Sequence, residues 1–166
     1  MHIDPVIQLT FDRRYHAWDT WSFLDQEFVE HVLTTTLKVS GHHSKHSISV
    51  EVLLVSDEEM SSYTHTYGPE PGPTNVLSFS MLDMNQCDQF PKDMPLPLGS
   101  IILGFEYISK EIQERALKPL DHLVRLLAHG MLHLLGHDHM TPEERNEMES
   151  CEQHICTTLN VRWSAL

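Results

Sequence analysis

Cysteine is scarce in this chain, and what there is has no pattern. Cys87, Cys151 and Cys156 are odd in number and show no CxxC spacing, which argues against a disulfide framework and against a cysteine-ligated structural zinc. A reducing cytoplasm is the expected setting. Long apolar runs are also missing: MHIDPVIQLT has no basic n-region or long apolar h-region, and no run approaches membrane-spanning length. The expectation is a soluble protein with no membrane partner. Cations are few, with 11 Lys and Arg against 24 Asp and Glu and a formal net charge of −13. Generic phosphate binding needs a cationic surface, so a broad nucleic-acid-binding role is disfavoured, DNA is not expected, and any RNA contact must be focused in a patch. Repeats, linkers and low-complexity segments are absent too. A length of 166 residues with 40% hydrophobic content leads us to expect one domain over residues 1–166 with room for a proper core.

Histidine, by contrast, is plentiful, and one stretch organises it: DHLVRLLAHGMLHLLGHDH, Asp121 to His139. Residues four apart share a face of an α-helix, so His129 and His133 can grip one ion from the same side. A third ligand further along that helix lies out of reach. The chain must therefore turn back, and Gly136 is the residue type that tolerates the left-handed turn. His139 then closes the site, and His137 is a rival with less chain in which to reverse. Three neutral imidazoles with one open position form the ligand set of a catalytic zinc, so one Zn²⁺ held by His129, His133 and His139 is expected. The histidines of SGHHSKHS, Ser40 to Ser47, are read as a solvated turn, because nothing fixes the geometry of their rings.

The rest reads as a mixed α/β domain, a small mixed sheet packed with helices around a zincin-like metal helix. Val6 to Phe11 suggests a first strand. Trp21 to Lys38, after Asp19 and Thr20 as caps, carries Trp21, Leu24, Phe28, Val32 and Leu37 near helical spacing. Ile48 to Ser56 is a strand, and Ser56 with Glu59 forms an SxxE capping box opening a short helix. Gly68 to Pro73 forbid regular structure ahead of a strand from Asn75 to Ser80, and such a restricted loop is a candidate wall of the metal cleft. Met81 to Pro97, with three prolines, is an irregular excursion. Leu98 to Ile108 reads as a buried strand leading to a helix near Ser109 to Leu117. Thr141, Pro142 and Glu144 mark a strong helix start. In that last helix Met148, Cys151, Ile155 and Leu159 form the packing stripe and the acidic residues a solvated face.

Two resemblances bear on function. HxxxHxxGxxH has the ligand spacing of the metzincin peptidases, whose HExxHxxGxxH carries a glutamate where this chain has Gly130. Glycine cannot act as general base. The longer string HGMLHLLGHDH, His129 to His139, resembles the YbeY family of bacterial endoribonucleases, with Gly130, Leu132, Leu134, Gly136 and Asp138 matching alongside the three histidines. PTNVLSF at Pro73 to Phe79 and LGSII at Leu98 to Ile102 look like two further family segments, in the same order. The resemblance implies a compact α/β domain, a zinc on the three motif histidines, and cleavage of single-stranded RNA in small-subunit rRNA maturation and ribosome quality control, with the ribosome or its small subunit as partner.

Two departures stand out. The family's YRxxDxPT is here YGPEPGPT, with Gly68 at the Arg position and Pro71 at the Asp position, and the Asp of LGDI is Ser100. Phosphodiester cleavage needs charge stabilisation on the non-bridging oxygens, so Arg125, one turn before His129, is a candidate substitute; its plainer reading is a surface arginine covering the helix start. Asp138 and His137 are candidates for acid and base, and for Asp138 the plainer reading is a turn-capping or ligand-supporting carboxylate. A bound zinc would lower the pKa of its water or polarise a phosphoryl oxygen. The alternatives are a zincin-type metallopeptidase and a non-catalytic, metal-stabilised ribosome-binding module.

Overall fold

Alternating apolar residues and i, i+3/i+4 stripes become four strands and five α-helices among the described residues of the computed structural model, 6–42 and 47–165. His43 and His46 of the polar turn lie outside them. In chain order the elements are β1 (Ile7–Arg13), α1 (Gln26–Val39), β2 (Ile48–Val55), α2 (Asp57–Tyr67), β3 (Val76–Ser80), β4 (Leu96–Gly104), α3 (Phe105–Glu114), α4 (Pro119–Leu134) and α5 (Pro142–Thr158). The sheet is mixed, in the order β1-β2-β4-β3. β1 and β4 run parallel to β2, and β3 pairs antiparallel with β4 at the edge.

Period-two alternation sorts the strands onto two faces. Ile48, Val50, Val52 and Leu54 of β2, with Ile101 and Leu103 of β4, enter the main core, to which α1 and α4 contribute Val32, Leu33, Leu127 and Met131. Leu53, Val55 and Ile102 point the other way and meet Met60 of α2. The open face carries the polar pair Glu51 and Ser100, where the Ser100 hydroxyl donates to Glu51 Oε1 at 2.9 Å. Ser100 therefore sits on the sheet face away from α4, not beside the histidines.

Several boundaries differ from the expected ones for local reasons. The first helix starts at Gln26, not Trp21, because Asp25 accepts the Phe28 N–H at 2.8 Å and caps there. Residues 16–20 form a separate 3-10 turn that buries Trp18, whose indole N–H donates to the Val55 carbonyl at 3.0 Å. The expected excursion contains a 3-10 turn at Met84–Gln89 and ends early, since β4 begins at Leu96 and includes Pro97. β4 stops at Gly104 and α3 begins at Phe105, where Phe105 joins Trp18 and Trp21 in an aromatic cluster. Only half of the Ser56 box forms: Ser56 accepts the Glu59 N–H, while the Glu59 carboxylate pairs with Arg14 at 2.8 Å.

Gly130 decides how closely α4 approaches the sheet. A Cβ there would lie 2.9 Å from Ile101 Cγ2 and 3.1 Å from Ser78 Oγ, and Ser78 Oγ donates to the Gly130 carbonyl at 3.1 Å. Gly130→Ala is thus expected to lower stability by about 1–3 kcal/mol, the usual cost of overpacking a filled core. Denaturant unfolding checks this, and an unchanged midpoint would show that Ile101 yields freely.

Candidate metal centre

The site is built from the end of α4 and the short segment that follows. Pro119 starts the helix at its first position. At its other end Gly136 adopts φ +97°, its N–H bonds the His133 carbonyl, and the His137 N–H reaches back to the Leu132 carbonyl, both at 3.0 Å. These two bonds are a Schellman motif, and they reverse the chain where the spacing requires it. Four residues on, Thr141 starts α5 with a complete capping box shared with Glu144. His139 lies between these two anchored ends. Its own N–H is tied to the Asp138 carboxylate at 2.8 Å, so Asp138 caps the turn.

The structure brings His129, His133 and His139 together, with one ring nitrogen of each within 4.8 Å of the others. His129 Nε2 and His133 Nε2 are 3.1 Å apart. The other nitrogen of each ring faces an acceptor: His129 Nδ1 meets Glu152 Oε2 at 3.2 Å, and His133 Nδ1 meets the His137 carbonyl at 3.0 Å. An acceptor at Nδ1 holds the proton there and leaves the Nε2 lone pair free. Two lone pairs aimed at one point repel each other unless a cation lies between them, so this donor set fits a single small divalent ion. The pKa of His133 is pushed down to about 4 by burial first and by His129 and His139 next, which keeps that ring neutral and ready to ligate. His137 contributes its carbonyl to the site, and its ring is not one of the three that converge.

Glu152 is the residue that motif reading missed. It is 1% exposed on a helix whose acids were expected to face solvent. Besides His129 it receives Arg125 Nε at 2.8 Å and the Trp163 indole N–H at 3.4 Å. Burial alone would raise its pKa, but the His129 hydrogen bond and the Arg125 charge outweigh burial, so the carboxyl is held below its ordinary value. A signal was available: Glu152 falls four residues after Met148 and three before Ile155, inside the apolar stripe. Arg125 is likewise not a surface residue. It is 4% exposed and lies over Trp163, 5.4 Å from the ring centroid, so it positions Glu152, which in turn orients His129.

A cleft of about 510 Å³ opens over the three histidines. Val76, Ser78 and Ser80 of the edge strand form one wall, and Pro69 and Asn75 of the preceding loop reach it. Among the described residues, no Lys or Arg lines this cleft. A side chain at position 68 would not simply restore a cation: a Cβ on Gly68 would lie 2.8 Å from Thr64 Cα and 2.9 Å from the Thr64 carbonyl oxygen, so the end of α2 would have to move. The arginines near the histidines lie on the other side of His129 and His139, where Arg125 and Arg145 line a smaller cavity of about 220 Å³ together with Glu149 and Glu152. A glutamate at position 130, as in a metzincin, would also crowd Ile101, whose Cγ2 lies 2.9 Å from where a Cβ would sit and would have to shift.

A mixed four-stranded sheet carrying a paired-histidine helix, a glycine turn and a third histidine defines a compact α/β protein with a candidate metal site. The Thermotoga maritima protein solved in solution shares this fold, with a TM-score of 0.56 at 18% identity and 92% of each chain covered. A sequence model of the endoribonuclease YbeY family matches residues 16–160, and the chain belongs to that family. Relatives named endoribonuclease YbeY include those of Symbiobacterium thermophilum, 33% identical over 82% of this chain and 87% of the relative, and Chelativorans sp., 39% identical over 68% and 67%. That of Acaryochloris marina is 32% identical over 86% and 78%. No helix among the described residues is long and apolar enough to cross a membrane.

Proposed function

We propose that this chain is a zinc-dependent endoribonuclease specific for single-stranded RNA, working as one domain in the cytoplasm on small-subunit rRNA and in ribosome quality control. The observation that carries this reading is the convergence of His129 Nε2 and His133 Nε2 at 3.1 Å, each Nδ1 held by an acceptor, in a chain of the YbeY family. His129, His133 and His139 hold the ion, which when bound supplies Lewis acidity toward water or a phosphoryl oxygen. The chain's own groups do the rest. Glu152 and the His137 carbonyl keep the Nδ1 protons in place, β3 walls the cleft in which the RNA strand lies, and Ser80 offers a hydroxyl along it while Ser78 gives its proton to the Gly130 carbonyl. Arg125 acts through Glu152, and Arg145 is the candidate to face a phosphate beside His139.

A second reading, a non-catalytic metal-stabilised ribosome-binding module, is favoured by one observation: among the described residues the wide cleft has no lining cation, and a side chain at position 68 would require the end of α2 to move. Cleavage of a single-stranded rRNA fragment by zinc-loaded protein beside His133→Ala separates the two, with metal content and circular dichroism measured on both. Cleavage is expected to fall by roughly a thousandfold or more in the folded variant, since a metal supplies several kcal/mol of charge stabilisation. Inactive, fully metallated wild type would favour the binding module. Equal cleavage by both proteins would place the activity outside the histidine site.

A further inference from the structure

A cavity of about 390 Å³ lies between the turn joining α3 to α4 and the C-terminal tail, and the nuclease reading makes no use of it. Arg115, Lys118, Arg125 and Arg162 line it, four of the 11 Lys and Arg in a chain of net charge −13, while Asp121 is the one lining carboxylate among the described residues. Lys118 and Arg162 are exposed, and neither has a carboxylate within ion-pair distance among the described residues. The buried member of the set, Arg125, gives its Nε to Glu152, but its Nη1 is buried with no hydrogen-bond partner. A buried guanidinium N–H without an acceptor is costly, and a ligand oxygen relieves that cost. The first turn of α4 borders the same space with no side chain capping it, which adds the positive end of a 16-residue helix.

We propose that this cavity binds a phosphate group. A phosphate presents several acceptor oxygens to a ring of guanidinium and ammonium donors, the match for which arginine is suited. Arg125 also lines the cavity next to His129 and His139, so the cationic space and the metal centre share a wall. Lys118, the N-cap of α4, precedes His129 by eleven positions, about 16 Å along the axis at the usual helical rise. That separation suits a phosphate of the same RNA strand several nucleotides from the cut, a placement that rests on the nuclease reading; a free phosphate or phosphate monoester is the other source with the same chemistry.

The test uses full-length, metal-loaded protein and the variant Lys118→Glu/Arg162→Glu, both at exposed positions, with a Lys92→Glu/Lys110→Glu control of equal charge change. One arm titrates inorganic phosphate by phosphorus NMR. The other follows binding of a 2′-O-methyl oligouridylate by fluorescence anisotropy at several salt concentrations. We expect at least about tenfold weaker binding in the variant, beyond any change in the control, and a salt slope smaller by about 0.7 for the one lost phosphate. Weakening in both arms, or in the RNA arm alone, assigns the site to the strand. Weakening in the phosphate arm alone supports the anion site and gives it to free phosphate. Variant and control that behave alike in both arms would overturn the proposal. Phosphate binding through these residues in a protein that cleaves no RNA would leave the site standing while the nuclease reading fell; an active nuclease indifferent to the substitutions would do the reverse.

Discussion

Replacing Glu152 with alanine is expected to destabilise the protein by about 3–5 kcal/mol, the cost of stripping one partner from a buried ion pair. The carboxylate takes Arg125 Nε at 2.8 Å, His129 Nδ1 at 3.2 Å and the Trp163 indole at 3.4 Å, so its loss strands three donors and leaves a charge in a space that is 4% exposed. Urea unfolding of the metal-free protein measures the effect. Glu152→Gln keeps an acceptor for Arg125 but loses the charge facing His129, and its signature should be weaker metal affinity, by about 10–100-fold, with a smaller loss of stability. Arg125→Met combined with Glu152→Leu is expected to recover much of the stability, since an apolar pair can replace a buried ionic one, and to leave metal affinity low. A loss below about 1 kcal/mol for Glu152→Ala, in the range of an exposed ion pair, would show that Arg125 and His129 find other partners.

Metal removal is expected to produce the second large effect. An ion bound only by the folded chain adds about 4 kcal/mol at a thousandfold excess of free metal over its dissociation constant. Thermal unfolding with zinc and with a chelator reads this difference, and His129→Ala should unfold at the same temperature under both conditions, below chelated wild type because Glu152 loses one partner. The pH dependence has a definite sign. His133 has an ordinary pKa of 6.5 and a folded one of about 4. Between those values the unfolded chain takes up a proton that the metal-free folded chain does not, so His133 contributes stability above pH 6.5 that is lost as pH falls toward 4. Proton competition for the metal at this ligand begins only near the lower value. A melting temperature of the metal-free protein that rises on acidification through this window would contradict the depressed value.

The local features were legible because they depend on short spacings. His129 and His133 share a face through helical periodicity, Gly136 reverses the chain through its freedom at positive φ, and Thr141 with Glu144 closes a capping box within one turn. The strand at Ile48 and the apolar stripe of α1 likewise follow from alternation and helical spacing. Boundaries drifted where a competing contact won: Asp25 caps α1 in place of Asp19 or Thr20, and Glu59 leaves its capping box for Arg14.

By itself the sequence determined the three-histidine motif, the turn that presents it, the mixed α/β composition and the family resemblance. Tertiary structure alone decided what supports and surrounds that motif. Glu152 lies 23 residues from His129 and 27 from Arg125, and Ser78 lies 52 from Gly130. Those contacts exist only because the sheet adopts the order β1-β2-β4-β3 and α5 folds back on α4. The same packing turned an arginine expected at the surface into a buried one, put Ser100 on the face away from the metal centre, and gathered scattered cations around one cavity of an acidic protein. Spacing along a helix constrains neighbours within a turn or two, whereas long-range partners are set by how apolar faces stack, which no local pattern records.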